Sequence, residues 1–163
     1  MKKLLYKATL DWKGTENGVE LYESDDISDL GFVSQCQAIS FVDEDNIVLF
    51  KHIDGYYSLA GGKVEKGESF EKALKREIME ESACEVLESK IIGYVKVTEV
   101  PSGKVVYQLR YVAKVRPLDQ PVQDPDGKAM ERRVVGIDEA NEILGWGERG
   151  QILLDLAKRK YKE

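Results

Sequence analysis

Three glutamates, Glu77, Glu80 and Glu81, stand at spacings of i, i+3 and i+4, so on a helix their carboxylates project side by side from one face. Like charges at those spacings repel, each pair costing a few tenths of a kcal/mol (about 0.2–0.5) on an isolated helix. A divalent cation would reverse the sign of that effect, because hard ions such as magnesium take carboxylate oxygens as ligands. An arbitrary Glu-x-x-Glu-Glu is ordinarily a solvated face. Here it follows Gly61, Gly62, Glu68 and Arg76, and the opposite charges of Glu68 and Arg76 could tie a glycine loop to the glutamate helix.

The local sequence supports that loop and helix. Gly61, Gly62 and Gly67 bracket a short loop, and the run from Ser69 to Ser82 has no Gly or Pro and is rich in Glu, Lys, Ala and Leu, which favours helix. Ser69 can cap the first turn with its hydroxyl, and Glu71 complements the positive end of the helix dipole. Phe70, Ala73, Leu74 and Ile78 recur at spacings of three and four, which commits one face to a core.

Gly62, Glu68, Arg76, Glu77, Glu80 and Glu81 stand in the order G-x5-E-x7-R-E-U-x-E-E, with the aliphatic position U occupied by Ile78. This pattern resembles the Nudix box, the signature of hydrolases that cleave a nucleoside diphosphate linked to some other group. The resemblance implies an α/β (α+β) fold, an α/β/α sandwich with a mixed sheet. It implies that Glu77, Glu80 and Glu81 hold magnesium, for which manganese can substitute, beside a small nucleotide substrate. It further implies that Glu68 and Arg76 support those ligands, that the backbone at Gly61 and Gly62 approaches the phosphates, and that Glu77 or Glu81 takes a proton from the attacking water. A glutamate from a later loop often completes such sites, and Glu131 is the candidate; beside Arg132 and Arg133 it reads equally well as an ordinary exposed residue. The pattern departs at Ala83, which replaces its last glycine, and at Ala60, which replaces a common proline. Those two departures motivate the rival reading of a nucleotide-binding or protein-binding module without turnover. Pro101 lies near where ADP-ribose pyrophosphatases carry a proline, although a Pro-Ser-Gly turn accounts for it equally well.

Composition sets bounds on the partners. A formal charge of −6 argues against general nucleic-acid binding, which calls for a basic surface, so an anionic substrate needs metal ions or local basic residues. Cys36 and Cys84 are the only cysteines and form no CxxC pair, and His52 is the only histidine. Cysteine zinc sites, disulfide frameworks and His-rich metal centres are thereby excluded, leaving carboxylates to carry any metal chemistry. Lys7 and Asp11 break the apolar stretch of the first ten or so residues, which then fails as a signal peptide, and no apolar run is long enough for a membrane span. A cytoplasmic protein is expected.

In chain order, 163 residues suit one domain, with an N-terminal β extension at 1–30 and a core at 33–160. Strands are expected at Lys2 to Trp12 and Val19 to Tyr22 around a turn at Gly14 to Gly18, and this hairpin should pack on the domain or on a second subunit of a homodimer, because its apolar content would otherwise be exposed. Ser24 to Leu30 reads as an acidic surface loop. Gln35 to Val42 and Asn46 to His52 read as neighbouring strands, and Ile91 to Val100 and Lys104 to Val115 as a hairpin turning at Pro101-Ser102-Gly103. Pro117 to Lys128, with three of the four prolines, reads as a loop near the site. Arg132 to Ile137 should be a strand, Asp138 the cap of a short helix to Leu144, and Gln151 to Lys158 a final helix with Ile152, Leu153 and Leu156 inward. Tyr56, Tyr57 and Trp146 could stack on a base, although each also suits packing.

Overall fold

A computed structural model describes residues 2–163. Strands β1 (Lys2–Trp12) and β2 (Thr15–Ser24) form an antiparallel hairpin. Its turn is tighter than expected: Lys13 and Gly14 both take positive φ, and Gly18 lies within β2 opposite Thr9. Next come β3 (Val33–Phe41), β4 (Asn46–His52), β5 (Tyr57–Ser58) and β6 (Gly61–Lys63). Helix α1 (Phe70–Ser82) leads straight into β7 (Cys84–Glu99), which turns at Pro101 into β8 (Val105–Pro117). After the loop at 118–128 follow β9 (Ala129–Gly136), α2 (Ile137–Leu144) and α3 (Gly147–Tyr161).

The strands join in one mixed sheet ordered β1-β2-β7-β8-β3-β4-β5, with β6 on β3 and β9 on β4. Among the described residues only β3 and β8 run parallel. β3 and β4 pair for just two residues, Ser40 with Val48 and Phe41 with Ile47, then part, and β6 fills the gap against Gln35 to Gln37. That splay seats the glycine loop inside the sheet.

Alternation along the strands sends side chains to two cores. On one face Leu74 and Ile78 of α1 pack with Cys36, Ala38, Leu109 and Tyr111. On the other, Leu153, Leu154 and Ala157 of α3 and Ala140 and Leu144 of α2 pack with Ile39, Phe41, Leu21 and Val95. The result is an α/β/α sandwich, the architecture anticipated above. Both cysteines are buried thiols. Among the described residues no helix is long and apolar enough to cross a membrane.

Two helix starts differ from the sequence reading. Asp138 lies inside the first turn of α2, whose cap is Gly136 without a side-chain bond; Asp138 pairs instead with Lys158 at 2.9 Å. The final helix begins at Gly147 rather than Gln151 and contains Gly150, where a Cβ would collide with the Asn141 and Trp146 side chains.

The N-terminal hairpin packs on its own domain. β2 pairs with β7 over seven residues, and Val19 and Leu21 are fully buried, while β1 leaves Leu4 46% exposed. Leu21→Ala should therefore lower the unfolding free energy by about 2–5 kcal/mol, as for a core leucine, and Leu4→Ala by less than about 1 kcal/mol. Urea unfolding of the two variants checks this, and similar losses would contradict the burial.

Candidate active site

Helix α1 forms as its sequence dictates. The Ser69 side chain accepts from the Lys72 backbone N–H, and Ala73, Leu74, Ile78 and Ser82 are buried. At its end Ala83 adopts the left-handed conformation (φ 52°, ψ 44°), and its N–H still donates to the Met79 carbonyl. The expected glycine geometry is thus kept by alanine, at a cost on the order of 1 kcal/mol.

Arg76 organises the carboxylates. Its Nε and Nη2 donate to the two oxygens of Glu68 at 2.7 and 3.0 Å, and Nη2 also donates to the Lys63 carbonyl at 3.1 Å. Its Nη1 reaches Glu77 at 2.9 Å and Glu80 at 3.4 Å. This fork holds the Glu68 carboxyl down to about 2. Glu77 lies beneath Gly62, where a Cβ would come within 2.6 Å of its carboxylate.

Glu81 is held differently. Its Oε1 accepts from the Gly61 N–H at 2.8 Å, and no cation bonds it among the described residues. Burial, followed by the charges of Glu77, Asp124 and Glu80, overcomes that bond and pushes its carboxyl up from 4.5 to about 8. Burial raises Glu77 and Glu80 as well, against the Arg76 interaction.

The loop at 118–128 adds two groups that sequence reasoning missed. Carboxylate oxygens of Asp124 and Asp126 lie within 4.8 Å of one another and of Glu80. Asp124 is fixed by backbone N–H groups of Asp126, Lys128 and Ala129, whereas no protein donor meets the Asp126 carboxylate among the described residues. The sequence signal was Asp-Pro-Asp-Gly in a proline-bracketed loop. Glu131, the candidate from sequence, is exposed on β9 opposite Lys51. Its neighbour Arg132 is the one that reaches α1, donating to the carbonyls of Ser82 and Ala83, so alternation sends Glu131 to the other face. The structure thus gathers Gly61, Gly62, Glu68, Arg76, Glu77, Glu80 and Glu81, and leaves Glu131 apart from them. Tyr56 stacks on His52 and Tyr57 lies under Arg133.

The donor set consists of carboxylate oxygens held close together against their mutual repulsion, and this suits a hard divalent cation. The profile of the NUDIX domain matches residues 36–156. No protein among the curated sequences matches the chain significantly. Among solved structures, the chain resembles the Bacillus subtilis pyrophosphohydrolase BsRppH, with 22% identity, a TM-score of 0.72 and coverage of 96% of this chain and 98% of that one. It is also similar to a NUDIX hydrolase from Nitrosomonas europaea (18%, TM-score 0.62, covering 81% and 90%) and to the MutT NUDIX hydrolase from Burkholderia pseudomallei (23%, TM-score 0.58, covering 78% and 98%).

The raised Glu81 carboxyl makes metal-free stability depend on pH. An unfolded Glu81 ionises near 4.5 and the folded one near 8; between these values the folded state keeps a proton that the unfolded state has released. Stability therefore falls as pH rises through that window, and the loss is complete above it. In chelator-containing buffer the melting temperature should decline more steeply from pH 5 to 8, roughly that window, for the parent than for Glu81→Gln. Parallel curves would show that Glu81 is not the titrating group.

Proposed function

This chain belongs to the Nudix family, and on that premise we propose that it hydrolyses a diphosphate bond in a nucleoside diphosphate linked to another group, with magnesium or manganese as cofactor. The observation that supports this most is the convergence of Glu77, Glu80 and Glu81 with the Gly61–Gly62 backbone, joined by Asp124 and Asp126. These carboxylates would hold the metal. When bound there, a divalent cation neutralises phosphate charge and lowers the pKa of a coordinated water.

The chain's own groups divide the remaining work. Glu77 accepts from Arg76 at 2.9 Å and lies beneath Gly62, which fits a ligand. Glu81 has no cationic partner among the described residues and is oriented by the Gly61 N–H, which fits the group that takes the water's proton. The bond formed joins the water oxygen to one phosphorus, the bond broken is the bridging P–O bond, and the leaving group departs as a phosphate-bearing anion. Glu68 acts through Arg76 and positions the others. Small nucleotide derivatives are the substrate class, in a cytoplasmic setting. Of the two departures that motivate the non-hydrolytic alternative, Ala83 and Ala60, the first leaves the helix end formed without glycine.

Phosphate and nucleotide products should be assayed with magnesium across nucleoside triphosphates (oxidised ones included), ADP-ribose, nucleotide sugars and dinucleoside polyphosphates. Turnover of at least one is expected, and Glu81→Gln should lower it by about two orders of magnitude or more. Asp126→Asn should raise the magnesium concentration needed for half-maximal rate while leaving the melting temperature unchanged. Tight binding of a ligand with no turnover of any would establish the binding-module reading instead.

A further inference from the structure

Strand β1 borders the sheet: it pairs with β2 on one side, and no strand among the described residues meets its other side. An open edge presents N–H and C=O groups at alternate residues, which makes it a template for another strand. Folded proteins blunt such edges with proline, bulges or a lysine. The bulge in β1 falls between Leu4 and Tyr6, and from Tyr6 to Trp12 the register with β2 is unbroken. That run, Tyr-Lys-Ala-Thr-Leu-Asp-Trp, contains no proline. It does carry Lys7, so a strand that covers this edge must answer that charge.

The run answers it by itself. Reversed about Thr9, it sets Lys7 against Asp11, Tyr6 against Trp12 and Ala8 against Leu10, matching charge with opposite charge, aromatic with aromatic and apolar with apolar. Opposite charges, aromatic pairs and Thr–Thr contacts are cross-strand combinations that stabilise an antiparallel pair. Moving the centre of reversal to Ala8 or Leu10 sets Lys7 against Thr9 or Lys13 instead, and moving it to Lys7 sets that lysine against itself.

The two faces of the strand agree with this pairing. Tyr6 and Ala8 stand opposite Leu21 and Val19, whose side chains lie in the core beneath α3, and Leu10 packs against the same core. Alternation puts Trp12 on that face as well and turns Lys7, Thr9 and Asp11, all exposed, to the other. Trp12 is 41% exposed, and Tyr6 and Leu10 are half-buried, so apolar surface remains to be covered at the border. Within its own hairpin Asp11 faces a like charge, Glu16, and its Oδ1 accepts from the Gly14 N–H.

We propose that β1 is the interface with a second copy of this chain, the two edges pairing antiparallel from Tyr6 to Trp12 about a twofold axis at Thr9. Such an axis stands perpendicular to the sheet, so the joined sheet keeps both α1 helices on one face and both α3 helices on the other. Each Asp11 then meets the partner's Lys7, and the apolar stripes of the two strands run together on the α3 side. The inference is independent of the reaction proposed above.

Cysteine substitution reads the register. Directly opposed residues of an antiparallel pair have Cα atoms about 4.5–5.5 Å apart, within disulfide range, and only a residue on the axis meets its own copy. Under mild oxidant Thr9→Cys should therefore give a covalent dimer on non-reducing gels. Lys7→Cys alone should give none, a mixture of Lys7→Cys with Asp11→Cys should give one, and the parent, whose Cys36 and Cys84 are buried, should give none. Sedimentation equilibrium of the full chain should show a dimer that forms as concentration rises. Lys7→Glu and Asp11→Lys should each raise the dissociation constant at least about tenfold alone and recover association when mixed, because every mixed pair again sets acid against base. The hairpins are the same before and after mixing, so the recovery reads the interface alone. A monomer at every concentration, a covalent dimer from Lys7→Cys alone, or no recovery on mixing overturns the proposal.

Discussion

The site depends on how closely the backbone at Gly61 approaches β3. A Cβ there would collide with the Cys36 carbonyl and lie 2.5 Å from the Gln37 Cα, so any larger residue would push β6 off the sheet. Seated as it is, β6 directs the Gly61 N–H to Glu81 on one side and lies directly beside Gln37 on the other. The parting of β3 from β4 makes the room, since a fully paired hairpin would occupy the edge that β6 uses. One backbone contact thus sets the relation between the carboxylate helix and the sheet.

Counter-charge is distributed unevenly around that contact, and the unevenness gives chemically similar residues different characters. Arg76 spends its fork on Glu68 and its remaining nitrogen on Glu77 and, more distantly, Glu80. Glu68 is held down by its bonds to Arg76, while Glu81, more deeply buried and with no cation bonded to it among the described residues, is pushed up. A carboxylate pushed up to about 8 and one held down to about 2 can therefore sit in the same loop-and-helix motif. Asp124 shows a third condition: its charge is absorbed by backbone N–H groups that shape its own loop, which leaves Asp126 facing Glu80 with free oxygens.

The N-terminal hairpin contributes more than an extra edge. β2 carries Val19 and Leu21 into the core shared with α3, and Trp12 at the end of β1 lines a cleft with Trp146. Its exposed β1 edge is short of apolar burial, with Leu5, Tyr6 and Leu10 only partly covered, whereas β2 is bonded on both sides.

The sequence by itself determined the parts whose causes are local. Ser69 caps α1 because a hydroxyl at that position meets a free N–H, the i, i+3, i+4 spacing puts Glu77, Glu80 and Glu81 on one face, and Pro101-Ser102-Gly103 forces a turn. The sandwich itself was implied by the resemblance to the Nudix box, while strand alternation and helical stripes, which are written locally, mark the faces that its two cores use. Tertiary structure alone decided what depends on segments distant in the chain. The parallel pairing of β3 with β8 brings Gln37 beside Arg110, 73 positions away in sequence, and the return of the 118–128 loop to α1 replaces Glu131 with Asp124 and Asp126 beside Glu80. Neither outcome leaves a periodic trace, because a side chain's charge and spacing say which neighbours it would suit, while only the path of the backbone says which neighbours it has.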